Sequence, residues 1–506
     1  MKKIFTKYSF IFLFIASMLT GCESILNQEP ENAVTNGNLW QTENDVDKIC
    51  NGLHNAMSGA YGGIQNWFYG EVHAQSFDAM TNWAWTSIFS NDLDAIYGMY
   101  DSWGNEYKVI SFSNLLIDNL HRVDMTQDRR DYYEGIARFC RAYSYLYILK
   151  AWGEAPLVTS SIDVSEKSKV SQDVLGEFII TEAEKARLLL KPYSQERDMK
   201  GSPLVTKQIP SQGAADALLA DAYAWIGTMK NDQTLLKKSV EAATRVISSP
   251  EYALVASPEE VCQKVLLGNS KEGIFEIEYN NSTQVASQAA HLACFTESWP
   301  VIRNEAPGDI KRWDKQVVIN SSSVNKIFDD PNDLRRTSYF YKPDSMATVS
   351  TATTGGRAYL YKWRHPVLST DGLNTLKGFE DNIILYRLAD VILLRAEINN
   401  RLGNTDLALA DLKTIRDRAK ATSYSAAEGD LKLVILKERY KELYLEGNRF
   451  WDLARNGELR NMVPSFSGLT DQDVADGALY WPVSPGAFSK NPLMRQNTYW
   501  KKQGIN

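Results

Sequence analysis

The stretch Tyr386-Arg-Leu-Ala-Asp-Val-Ile-Leu-Leu-Arg-Ala-Glu-Ile398 has its apolar residues at three- and four-residue steps, with alanines that let a neighbour approach closely. It reads as a helix. Leu402-Gly403 follows, a glycine suited to ending that helix, and Thr405 to Ala419 repeats the helical pattern with Ala396 and Ala408 at the crossing. Working outward, Ala137-Arg-Phe-Cys-Arg-Ala-Tyr-Ser-Tyr-Leu-Tyr-Ile-Leu149 and Ala214-Ala-Asp-Ala-Leu-Leu-Ala-Asp-Ala-Tyr-Ala-Trp-Ile226 have the same character. Each is followed by a second helical pattern, Leu175 to Leu190 and Leu235 to Ser248. A further amphipathic helix is expected from Thr42 to about Ser58, where Val46, Ile49, Leu53 and Met57 share a face.

The Ala396 to Ala408 pair resembles a tetratricopeptide-type helical hairpin. Long inserts interrupt any strict 34-residue period, so an open solenoid is not expected. The expected fold is mainly α: a tetratricopeptide-like helical-hairpin scaffold with long irregular inserts. Within a body of residues 41–506 the helical pairs fall at about 134–250 and 384–455, and the inserts at about 61–105 and 280–366. Function is expected in the inserts, since loops on a rigid scaffold carry most binding residues.

The beginning of the chain gives its address. Lys2, Lys3 and Lys7 precede the apolar run from Phe10 to Met18, too short for a transmembrane helix and suited to a secretory signal over residues 1–21. The run ends in Leu19-Thr20-Gly21-Cys22, a lipobox-like ending that makes Cys22 the expected lipidated N-terminus. Each buried CH₂ contributes about 0.8 kcal/mol, so several acyl chains on one cysteine anchor firmly. Residues 22–40 are then a polar tether.

A formal net charge of −7 with scattered Lys and Arg leaves no basic footprint for nucleic acid. Cys50, Cys140, Cys262 and Cys294 form no C-x-x-C pair, and the five histidines lack H-E-x-x-H spacing, so no metal or cofactor is expected. Phosphate-cradling glycine loops and a G-x-S-x-G elbow are missing too. Glu438, Glu442 and Glu446 share one helical face, which could mimic an acid/base pair. The interleaved Lys437, Arg439, Lys441 and Arg449, and a helix end at Gly447, fit ion pairing and capping better.

Glu438-Arg-Tyr-Lys-Glu-Leu-Tyr-Leu-Glu-Gly-Asn-Arg-Phe-Trp-Asp-Leu453 closely resembles the C-terminal signature of SusD/RagB proteins. Arg138 to Leu157, Arg387 to Glu397, Tyr480-Trp-Pro-Val-Ser-Pro485 and Asn491 to Asn497 follow the same family pattern in order, and with the lipobox the resemblance spans nearly the whole chain. It implies a lipid-anchored, non-enzymatic protein on the outer face of the outer membrane. It also implies a lid over a SusC-like TonB-dependent barrel, to which captured glycan is delivered.

The inserts must carry specificity. The first holds Tyr69, Asp78, Asn82, Trp83 and Trp85; the second holds Trp299 and Arg303. Sugars offer flat C–H faces ringed by hydroxyls, which suit an aromatic platform flanked by amides, carboxylates or a guanidinium. Covering about 60 Å² of a sugar face at about 25 cal/mol/Å² contributes roughly 1.5 kcal/mol, so two or three platforms must converge. Trp83 and Trp85 alternate as in an extended segment, which puts both rings on one side. Core capping explains the same rings, and Trp103 and Tyr107, at helical spacing, are expected in the core. Oligopeptide binding by the same lid, or glycoside hydrolysis by paired acids, are the alternatives to glycan capture.

Overall fold

The structure is a computed structural model and describes residues 39–81, 83–279, 317–348, 356–368 and 376–505. The signal segment, Cys22, Asn82, Cys294, Trp299 and Arg303 therefore lie outside the described residues, as does the side chain of Trp83.

The helices are α1 (Glu43–Tyr61), α2 (Trp83–Phe89), α3 (Gly104–Asn119), α4 (Gln127–Trp152), α5 (Gln172–Leu189), α6 (Gln212–Lys230), α7 (Gln233–Ile247), α8 (Leu388–Arg401), α9 (Thr405–Ala419), α10 (Leu431–Glu442) and α11 (Arg449–Arg455), with shorter turns between. Each helix from α3 to α9 packs on the next, α1 lies on α3, and α10 lies on α8. The expected pairs form as α4 with α5, α6 with α7, and α8 with α9, giving a mainly α, tetratricopeptide-like stack.

Composition sorts the helices into layers. From Tyr132 to Trp152 nearly every residue of α4 is buried, and α6 is buried from Ala214 to Gly227, so these helices run through the core. Their partner α7 buries Leu236, Ser239, Ala242, Ala243 and Val246 on one stripe and faces water elsewhere. Local signals set the ends: the Asp45 carboxylate accepts the Thr42 N–H at 3.0 Å before α1, and Asp232 accepts the N–H of Thr234 at 2.8 Å before α7.

Four strands matter for the inserts. β1 (Ala79–Met80) pairs antiparallel with β3 (Val317–Val318), and β2 (Gly273–Ile277) pairs antiparallel with β4 (Ile383–Arg387). The second pair joins the foot of the second insert to the residue run that opens α8. Cys50, Cys140 and Cys262 are buried free thiols. No helix among the described residues is long and apolar enough to cross a membrane.

Two local expectations are corrected. The segment holding Trp83 and Trp85 is helical, not extended. Positions two apart on a helix are roughly 200° apart around its axis, so a shared side is not formed. The signature helix α10 ends at Glu442, short of Gly447, because the chain turns through Leu445 at φ +60° and Gly447 at φ +89°. Buried donors take the carbonyls a longer helix would use: Arg387 Nη2 reaches Glu442 O at 2.8 Å, and Lys362 Nζ reaches Tyr444 O at 2.9 Å.

Candidate functional site

The two inserts leave the scaffold together and are clipped to each other. At their start, the Tyr279 hydroxyl donates to the Gly62 carbonyl. Farther along, β1 of the first insert pairs with β3 of the second, in register Ala79 to Val318 and Met80 to Val317. Asp78 completes the clip: its N–H donates to Val318 O at 3.0 Å, and its carboxylate accepts the Asn320 N–H at 2.6 Å and the Ser323 hydroxyl. Asp78 immediately precedes the short β1, which leads into Thr81, Asn82 and Trp83.

The signature segment holds the first insert from below. Tyr440 Oη donates to Ser76 O at 2.8 Å, and Glu71 Oε1 accepts the N–H groups of Gly447 at 2.7 Å and Asn448 at 3.1 Å. Gly70 lies so close that a Cβ there would sit 2.0 Å from Gly447 O. Burial pushes the Glu71 carboxyl up to about 7, opposed by these N–H groups and by nearby Arg449.

Three of the residues the sequence offers as ligand contacts also make contacts within this framework. Tyr69 is 3% exposed, donates its hydroxyl to Tyr100 O at 2.9 Å and meets the Trp481 ring at 4.3 Å. Trp85 is 7% exposed and stands edge-on to Phe68 at 5.0 Å. Asp78 uses both oxygens on the clip. For Tyr69 and Trp85 the reason is that an insert needs its own small core, and its aromatics supply it. Trp103 and Tyr107 are in the core region as expected, with Trp103 buried and the Tyr107 hydroxyl donating to Pro156 O at 2.6 Å.

Sequence reasoning missed a stack in the second insert. Tyr341 and Tyr361 meet edge to face at 5.6 Å, and the Arg364 guanidinium lies 3.7 Å from the Tyr361 ring centroid. Both tyrosines are half-buried. The alternation of Tyr339 with Tyr341 and of Tyr359 with Tyr361 was the available signal; these segments pair through Tyr341 N–H to Tyr359 O at 2.9 Å and Tyr361 N–H to Tyr339 O at 2.7 Å.

The glutamate ridge has a different use. Glu438 binds Arg335 at 2.6 Å and Arg416 at 2.9 Å; Glu442 binds Arg387 at 2.7 Å, Arg335 at 3.4 Å and Arg418; Glu446 binds Lys362 at 2.5 Å and Arg387 at 2.8 Å. Although burial raises it, the flanking Arg418, Arg387 and Arg335 hold the Glu442 carboxyl well below the usual range. Glu446 is likewise lowered by Arg387 and Lys362. Fully ion-paired carboxylates with depressed pKa values are poor proton donors, so Glu442 and Glu446 fit ion pairing better than acid catalysis. No group of His, Cys, Asp and Glu among the described residues is placed to hold a metal ion.

Two family descriptions match the chain: "SusD family" over residues 311–500 and "Starch-binding associating with outer membrane" over residues 25–224. The chain belongs to the SusD/RagB family. Among curated relatives, SusD-like protein P38 of Formosa agariphila is 23% identical, with 98% of this chain and 99% of that protein covered. Among solved structures, a SusD homolog from Bacteroides thetaiotaomicron superposes with a TM-score of 0.76 at 20% identity, covering 91% of this chain and 99% of that one. Surface glycan-binding protein A from Bacteroides uniformis gives 0.72 at 18% identity, covering 90% and 100%. The SusD fold thus accounts for the helical stack.

Proposed function

We propose that this SusD-like chain captures glycan at the cell surface without transforming it. It is anchored in the outer membrane by lipid on Cys22 after removal of the signal, and works as a lid delivering oligosaccharide to a SusC-like TonB-dependent barrel. The observation that carries the reading is the double clip between the inserts, which joins segments far apart in sequence. Asn82, Trp83, Trp299 and Arg303, which belong to the two clipped inserts, are the proposed ligand contacts. Asp78, Tyr69 and Trp85 are proposed beside them as residues of the same insert, and the group of Tyr341, Tyr361 and Arg364 is an additional platform. Glycan is favoured over peptide by the family description naming starch and by the relative named for surface glycan binding.

The test is calorimetric titration of the mature chain carrying Cys22→Ala against plant, fungal and host glycans and a mixed peptide pool, repeated with Trp83→Ala. A glycan signal lost in Trp83→Ala is the expected result. Peptide binding alone would transfer the lid role to oligopeptides. New reducing ends after incubation with polysaccharide would replace the binding reading with hydrolysis.

A further inference from the structure

A groove of about 360 Å³, lined by no residue of either insert, lies between the last turn of α4 and the residues after it, the first turn of α5 and the last turn of α6. Its volume falls within the range of small-molecule sites, roughly 300–1,000 Å³. All of its lining residues belong to the helical scaffold, from Leu149 to Lys230.

The floor is apolar. Leu149, Trp225 and Ile226 contribute the little surface they leave uncovered, 2%, 3% and 3%, and the Met229 thioether stands beside them 53% exposed. The apolar surface open to a ligand is therefore chiefly that of Met229, and a methionine adapts to the outline of a C–H face. The rim is polar and partly fixed. Tyr480 Oη donates to Gln172 Oε1 at 3.0 Å, which fixes the amide and leaves its NH₂ group as the donor. Glu154, with a side chain 47% exposed, supplies the acceptor. A donor and an acceptor on one rim match hydroxyls, which both give and take hydrogen bonds.

Charge decides what kind of ligand fits. Asp173 pairs with Lys230 at 2.9 Å, and Glu154 stands 3.5 Å from Lys169 Nζ, so positive and negative groups cancel in pairs around the groove. An ionic ligand would find no uncompensated partner and would lose its hydration. A neutral polyol with one apolar face meets no such penalty.

We propose that this groove is a second saccharide site, taking one or two neutral sugar units and giving the protein two points of attachment along a polysaccharide. The proposal rests on the glycan-binding reading above and adds a location that reading does not contain. Two weak sites on one rigid body bind a polymer more tightly than either alone, provided the chain can span them.

The test compares the mature Cys22→Ala chain with the same chain carrying Met229→Arg, Gln172→Ala or Trp83→Ala. The probes are maltose, cellobiose, laminaribiose and xylobiose, each with its parent polysaccharide, and the readouts are calorimetric stoichiometry and crystal soaking. Met229 is exposed, so Met229→Arg fills the groove without disturbing the core, and an unchanged melting temperature checks this. The expected result is two disaccharide sites in the parent chain. Met229→Arg and Gln172→Ala should each remove or weaken one of them, lower the affinity for polymer at least tenfold, and leave the Trp83-dependent site intact. An unchanged stoichiometry in Met229→Arg, with binding still lost in Trp83→Ala, would overturn the groove and leave the insert reading standing. Loss in Met229→Arg alone would keep the groove and remove the insert contacts. No saccharide binding by the parent chain would overturn both.

Discussion

Arg387 shows how much of the interior depends on single side chains. Its guanidinium, 1% exposed in its side chain, reaches Glu272 at 2.8 Å, Glu442 at 2.7 Å and Glu446 at 2.8 Å. Removing one partner from a buried ion pair leaves charge without compensation and typically costs about 3–5 kcal/mol, whereas a surface pair contributes at most about 1 kcal/mol. Arg387→Met should therefore destabilise by about 3–5 kcal/mol in chemical denaturation. Lys48→Met, which breaks only the exposed pair with Asp45, should cost less than about 0.5 kcal/mol. Equal effects from the two would refute the network's importance. The sequence made Glu438 and Glu442 legible, because spacing of four fixes a helical face, while Glu446 lies past the helix end and joins them through the turn. Their partners were not, since Arg335, Arg387 and Arg418 come from distant segments that only the fold assembles. The burial of Tyr69 and Trp85 was not legible for a related reason: an aromatic in an insert looks the same whether it awaits ligand or fills the insert's own core.

At the scale of elements, helices with small residues every few positions were readable because one local pattern dictates both conformation and packing. The exceptions are places where tertiary contacts override local preference. The signature segment could have continued as helix to Gly447, but Glu71, Arg387 and Lys362 hold its N–H and carbonyl groups in a turn. That turn requires the first insert to approach with no side chain in the way. Gly70→Ala should consequently push the insert off the Gly447 backbone and destabilise by about 1–3 kcal/mol, the usual cost of overpacking. The control is Gly59→Ala in α1, where a Cβ meets nothing within 4 Å; it should stabilise by roughly 0.5–1 kcal/mol through helix preference alone. Thermal unfolding of the two variants measures the contrast. Proteolysis between Tyr61 and Asn105 should quicken only in Gly70→Ala. Similar shifts in both variants would mean that the close approach to Gly447 has no energetic weight.

For the whole molecule, burying so many ionisable groups makes stability depend on pH in two opposite ways. Burial pushes the Glu71, Glu106 and Glu276 carboxyls up from an ordinary value of 4.5 to about 7. Between those values these three groups hold more protons in the folded chain than in the unfolded one, so their contribution falls as pH rises. Their contribution is fully present below about pH 4.5 and lost as pH climbs through about 7, on the order of 1–3 kcal/mol for each group. Glu442, Glu446, Asp221 and Asp452 are held below their ordinary values by paired arginines and lysines. Their contribution is present above the ordinary carboxylate range and is lost as pH falls beneath it. Glu71→Gln separates the two families of groups, because the amide oxygen can still accept from Gly447 and Asn448 while the titration disappears. Its unfolding free energy should decline less steeply than that of the parent chain between pH 4.5 and 7, with the low-pH limb unchanged. A parallel decline in both proteins would show that Glu71 does not titrate in this window and that its charge is held by Arg449 and the two backbone N–H groups after all.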